Sequence, residues 1–182
     1  MKTRFMSSSP WRSWVLALVL LLPGARLMAQ GPVTPGPEHE GLKRLAGEWV
    51  ATIKGDGGDS KGVMIAKMEC GGLWLATEFR GDFGGMPFHG RGLDGYDPAT
   101  KKYVSVWVDS MSTKPLMFEG TMDKAKKTLT LTAEGPGMDG KPAKYKSVTH
   151  YVDDDHQVFA MYMVGSDGAE QKVAAIEYVR KK

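Results

Sequence analysis

From Trp49 to Arg180 apolar and polar residues alternate with period two, and turn-forming residues break the alternation about every ten positions, the pattern of an antiparallel meander. About ten strands are read: near Glu48 to Lys54, Gly62 to Glu69, Leu73 to Arg80, Pro87 to Leu93, Lys102 to Ser110, Pro115 to Met122, Thr128 to Glu134, Ala143 to Val152, Gln157 to Val164 and Glu170 to Arg180. The separators carry turn chemistry: Gly55-Asp56-Gly57-Gly58, Gly71-Gly72, Asp97-Pro98-Ala99-Thr100, Asp123-Lys124-Ala125-Lys126, Asp139-Gly140 and Asp167-Gly168. Short links and no second helical run favour an all-β, up-and-down antiparallel barrel, because closure removes both sheet edges. A two-sheet sandwich is the alternative.

The N-terminus has its own logic. Lys2, Arg4 and Arg12 precede the apolar run Trp14 to Leu22, the breaker Pro23-Gly24, and Leu27-Met28-Ala29. This is the order of a cleavable signal peptide over residues 1–29 with a cut after Ala29, which implies a periplasmic or secreted protein. Residues 30–36 form a Pro/Gly-rich linker and residues 37–182 a single domain. Removing the leader leaves 20 of the 24 basic side chains against all 21 acidic ones, a net charge of −1. The basic balance belongs to the leader. Charges of both signs are scattered along the strands, so nucleic acid is not an expected partner, and stable membrane insertion after cleavage is not expected either. Cys70 is the single cysteine, so no intrachain disulfide can form; its bland reading is a small semi-buried residue beside a turn.

A short helix is expected from Pro37 to Ala46, led in by Thr34 or Gly36, with Glu38 and Glu40 against its N-terminal dipole and Leu42, Leu45 and Ala46 on one side. It reads as a plug on the barrel. Strand Lys102 to Ser110 puts Val104, Val106 and Val108 on one face and Tyr103, Ser105, Trp107 and Asp109 on the other. Either face could line the interior. The valine face would make a dry, filled core; the other would make an aromatic-walled cavity with a few polar groups.

Two resemblances rest on particular residues. Gly47-Glu48-Trp49 at the opening of the first strand, with Arg180 late in the last, is similar to the calycin arrangement of lipocalins and fatty-acid-binding proteins. That likeness implies a structural clasp of Gly47, Trp49 and Arg180, the guanidinium packing over the indole at one barrel end. Most of the mature chain resembles the bacterial domain-of-unknown-function 1579 family. The segments that carry this are Pro35-Gly36-Pro37-Glu38-His39, Leu45-Ala46-Gly47-Glu48-Trp49, Gly84-Gly85-Met86-Pro87-Phe88, Gly95-Tyr96-Asp97, Tyr103 to Met111, and Tyr178 with Arg180-Lys181. This family likeness implies no activity.

Candidate chemistry is sparse. His39, His89, His150 and His156 show no metal-ligand spacing, and Asp153-Asp154-Asp155-His156 reads as a solvated turn. No cofactor is expected; the alternatives are haem on a single histidine such as His89 or His150, and Cu(I) on methionine pairs such as Met64 with Met68 or Met161 with Met163. Nitrobindin-like haem barrels carry an extended glycine motif after Gly-x-Trp that is absent here. No nucleophile elbow, phosphate loop or dinucleotide fingerprint occurs, and the glycines between Gly81 and Gly92 suggest a flap or bulge at the barrel mouth. Asp109 shares a face with Tyr103 and Trp107, and Arg91 on a neighbouring strand is its expected partner.

The leading expectation is therefore an exported barrel that binds a small, largely apolar ligand, with Tyr103, Trp107, Asp109, Arg91 and His89 at the site. One alternative is a small barrel enzyme using Asp109 or Glu78 with Arg91 or His89. Another is a non-catalytic scaffold with a filled core. Oligomeric state is left open.

Overall fold

A computed structural model describes residues 33–182 apart from 56, 138–140 and 166. The expected signal peptide, its cut after Ala29, the start of the linker and the Asp139-Gly140 turn lie outside the described residues. Val33–Lys182 forms one compact unit. In chain order its elements are α1 (Pro37–Lys43), β1 (Gly47–Ile53), β2 (Ser60–Glu69), a 3-10 turn (Cys70–Gly72), β3 (Trp74–Phe83), β4 (Met86–Asp97), β5 (Lys102–Asp109), β6 (Leu116–Asp123), β7 (Thr128–Pro136), β8 (Pro142–Tyr151), β9 (His156–Val164) and β10 (Glu170–Arg180).

Each strand pairs antiparallel with the next, and β1 pairs with both β2 and β10, so the sheet closes into a ten-stranded barrel with no free edge. The barrel, not the sandwich, is the fold. Strand bounds fall close to those read from the alternation, with the largest difference at β3 and β4. β3 runs on to Phe83 because Gly84 (φ +64°) and Gly85 (φ +89°) reverse the chain in a two-residue hairpin, and β4 runs on to Asp97 because it stays paired with β5 as far as Lys102. The glycine-rich stretch is thus a tight turn and a regular strand, where a flap or bulge was expected. The register shift sits instead in β10, between Lys172 and Ala174. Cys70 is exposed rather than semi-buried, with φ +50° in the 3-10 turn.

The helix is shorter than its apolar pattern suggested. Gly36 caps it, and its backbone N–H donates to Nδ1 of the buried His39 at 3.0 Å. After Lys43 the chain tightens, with Leu45 N–H donating to the Leu42 carbonyl at 2.9 Å and Ala46 N–H to the Lys43 carbonyl at 3.1 Å. Leu42, 3 % exposed, packs with Ala66 and Leu75 and so seats the helix on the end of β2 and β3. Every odd-numbered strand of the meander leaves the helix end and every even-numbered one returns to it. The helix end therefore receives the last residues of β2, β4, β6, β8 and β10.

Trp49 and Arg180 are direct cross-strand partners at the β1–β10 seam, and the guanidinium lies 4.2 Å from the indole centroid. Trp49 is 1 % exposed, and its Nε1 donates to the Leu45 carbonyl at 2.9 Å. Arg180 donates from Nη1 to the Ala46 carbonyl at 2.7 Å, from Nη2 to the Arg44 carbonyl at 2.6 Å, and from Nε to Asp155 Oδ1 at 3.0 Å. One side chain thus ties β10 to the helix end and to the β8–β9 turn. Gly47 has φ +138°, and a Cβ there would stand 2.6 Å from Arg180 Nη1. Glycine is required on both counts.

Arg180→Lys is expected to lower stability by about 1–3 kcal/mol, because an ammonium cannot donate in three fixed directions while covering the indole. Trp49→Ala should cost more, roughly 3–5 kcal/mol. Urea unfolding followed by far-UV circular dichroism reads both, and equal midpoints for Arg180→Lys and wild type would refute the clasp.

Candidate functional site: the barrel interior

β5 turns Tyr103, Ser105, Trp107 and Asp109 inward, while Val108 on the other face is 47 % exposed. The interior they line is hollow, with a cavity of about 470 Å³. Its emptiness explains why the apolar packing falls into separate groups. One gathers Trp49, Ala51, Ile53, Phe79, Ile176 and Tyr178 on β1, β3 and β10; another gathers Phe118, Leu131 and Ala133 on β6 and β7. These lie on opposing walls with the cavity between them.

The two ends of the cavity differ in chemistry. At the far end the rings of Phe83, Phe88 and Trp107 meet, Phe83 and Phe88 edge-on at 4.8 Å and Phe88 stacked on Trp107 at 6.5 Å between centroids. Trp107 lies flat on the bare backbone of β4. A Cβ at Gly90 would stand 2.2 Å from Trp107 Cζ2, and one at Gly92 would stand 2.5 Å from Thr77 Oγ1. The glycines of β4 make room for an aromatic ring. Trp107 Nε1 donates to Asp109 Oδ2 at 2.8 Å, and the Met111 N–H donates to Asp109 Oδ1 at 2.8 Å. Asp109 is thus partnered from within its own strand and loop.

The helix end is polar. Asp94 on β4 stands directly across from Ser105 on β5, both on the cavity wall, and the Ser105 hydroxyl hydrogen-bonds the Asp94 carboxylate. Burial pushes Asp94 up to about 6 from an ordinary 3.8, and the Ser105 bond offsets only part of that rise. Tyr151 on β8 also faces the cavity; burial holds its phenol well above the usual range, and the neighbouring Asp94 and Tyr103 raise it further. Tyr103 is raised by burial, then by Glu38 of the helix and Tyr96, whose ring meets it edge-on at 5.1 Å. A second hollow of about 270 Å³, beside the helix, shares Leu42, Leu45, Tyr103, Leu129 and Tyr151 with the main cavity. Those five residues border both.

Arg91 and His89 do not line the cavity. Arg91 pairs with Val108 in register, whereas Asp109 pairs with Gly90, so one step along β4 puts Arg91 on the outer surface. There Glu78 Oε2 accepts from Arg91 Nη2 at 2.8 Å, Glu78 Oε1 accepts from Arg80 Nε at 2.7 Å, and His89 Nε2 lies 3.5 Å from Glu78 Oε1. The Arg80 hydrogen bond, more than the charges of Arg91 and His89, holds Glu78 below the usual carboxylate range. The barrel wall therefore separates Asp109 from Arg91 and His89, whereas Glu78 stands together with both on the outer surface, away from the cavity. His150 is also exposed, beside Thr128 Oγ1. Met64 and Met161 line the cavity. Among the described residues no three His, Cys, Asp or Glu side chains gather as a metal site would.

The family model for a protein of unknown function, DUF1579, matches residues 34–180. The chain belongs to the DUF1579 family. No curated protein matches it. Among solved structures it is similar to Rv2717c from M. tuberculosis, at 13 % identity and a TM-score of 0.56, covering 81 % of this chain and 99 % of that one. A redesigned beta barrel matches at 15 % identity and a TM-score of 0.41, covering 78 % and 95 %. At that identity the likeness to Rv2717c shows a shared barrel fold for this DUF1579 chain, and nothing of its chemistry.

Asp94 supplies a stability test. Its folded value lies above the unfolded one, so the stabilisation linked to its proton is complete below about pH 4 and is lost as pH rises through about 6. Asp94→Asn is expected to match wild type near pH 4 and to exceed it at pH 8 by an amount on the order of 2 kcal/mol, read from paired urea melts. An unchanged difference between the two pH values would refute the buried, unpaired acid. Gly90→Ala should displace the Trp107 ring and destabilise by about 1–3 kcal/mol, with a red shift of tryptophan emission absent from Gly84→Ala.

Proposed function

We propose that this protein is an exported binding protein that holds a small, largely apolar molecule inside its barrel. The observation that carries the reading is the hollow interior: the aromatic face of β5 borders about 470 Å³ of space, within the usual size of a small-molecule site. The walls are the right kind. Phe79, Phe88, Trp107, Phe118, Leu131 and Phe159 supply apolar and aromatic surface, and a few polar groups stand at fixed positions among them. A scaffold whose strands merely needed a core would fill this volume, because interior voids forfeit dispersion contacts.

Native mass spectrometry of the protein purified from its own periplasm tests both export and occupancy. In vitro, the neutral apolar fluorophore N-phenyl-1-naphthylamine is expected to bind at one site per barrel, with energy transfer from Trp107. Ser147→Phe, which fills the cavity from β8, should abolish binding with the circular dichroism spectrum retained, and Glu78→Gln on the outer wall should not change it. Binding that survives Ser147→Phe, or follows Glu78→Gln instead, would place the ligand outside the barrel.

A further inference from the structure

The charges on the cavity wall are all of one sign. Asp94 and Asp109 line it, and among the described residues no Lys, Arg or His does. An apolar molecule with a carboxylate head would meet two acids and no cation in a low-dielectric space, which is strongly unfavourable. Asp109 is already satisfied, with one oxygen accepting from the Trp107 indole and the other from the Met111 amide. Asp94 has only the neutral Ser105 hydroxyl, and at neutral pH it is ionised and without a counter-charge among the described residues.

From these placements we infer that the helix end of the cavity is a head-group subsite for a protonated amine carried on an apolar body, with Asp94 as the counter-ion. The inference rests on the reading of the interior as a binding site and adds the class of ligand. Ser105 faces the carboxylate from across the β4–β5 ladder, and Tyr103 and Tyr151 line the same cavity, Tyr151 close enough to feel the charge of Asp94. The apolar body then runs along Leu75, Phe79 and Phe118 toward the Trp107 end. An ammonium at Asp94 would supply the charge partner that the fold omits. A half-buried carboxylate without a cationic partner, in the wall of a cavity, is the kind of local conflict that marks a binding site.

The test is isothermal titration of the full secreted chain at pH 7.5 with n-decylamine, n-decanol and n-decanoate, each below its micellar concentration. These probes share one chain length and differ only in the head. Decylamine is expected to bind at least about tenfold more tightly than decanol, and decanoate most weakly. In Asp94→Asn the advantage of the amine over decanol should fall to less than about threefold, with a thermal melt confirming the fold. Equal binding of amine and alcohol, a preference for decanoate, or an amine advantage that persists in Asp94→Asn would overturn the subsite while leaving an apolar interior site standing. Should none of the three bind, and N-phenyl-1-naphthylamine fail as well, both the subsite and the interior site are overturned. If Asp94→Asn does not fold, the ranking on the wild type decides.

Discussion

The contact between Arg180 and Trp49 is where this barrel closes. A ten-stranded sheet has two edges until its first and last strands meet, and here the pair at the helix end of that ladder lies face to face at 4.2 Å. The guanidinium spends its other directions on the carbonyls of Arg44 and Ala46, at the C-terminal end of the helix, where unsatisfied carbonyls and the negative end of the dipole favour a cation. Closing the sheet and fixing the plug are therefore one event. With the helix held there, Leu42 and Leu45 line the helix end of the interior, the end where Asp94 stands.

A hollow barrel must obtain its stability from its walls. The strand ladders satisfy the backbone, and side chains pack mainly with neighbours on the same wall: Trp49 with Phe79 and Tyr178, Phe118 with Leu131 and Ala133. Trp107 links the two groups, touching both from β5. It can do so because β4 offers glycine where other strands offer side chains, so the ring lies low against the sheet and leaves space above it. The same residues that brace the wall therefore shape the cavity, and wall stability and cavity volume are coupled through one tryptophan and two glycines.

Much of the fold was legible because period-two alternation and turn chemistry are local signals. The inward face of β5 was one of two options, and only closure chose between them. Of the expected site, Tyr103, Trp107 and Asp109 line one cavity, whereas Arg91 and His89 stand outside with Glu78. That difference is one residue of register, which alternation within a single strand cannot supply for its neighbour. Asp94 falls outside the expected site because the alternation read from the sequence stops at Leu93, whereas β4 continues to Asp97. Carrying the inward series Phe88, Gly90, Gly92 one step further would have put Asp94 on the interior wall.

The sequence by itself determined that this chain makes short antiparallel strands and that no intrachain disulfide holds them. These depend on residue type and spacing along the chain. Tertiary structure alone decided that the interior is empty, that its charges are acidic, and that Asp94 lies among Ser105, Tyr103 and Tyr151. Volume and electrostatic environment are properties of what faces what across a closed barrel: Asp94 and Ser105 meet in the β4–β5 ladder, but Tyr151 of β8 faces them only in the closed sheet.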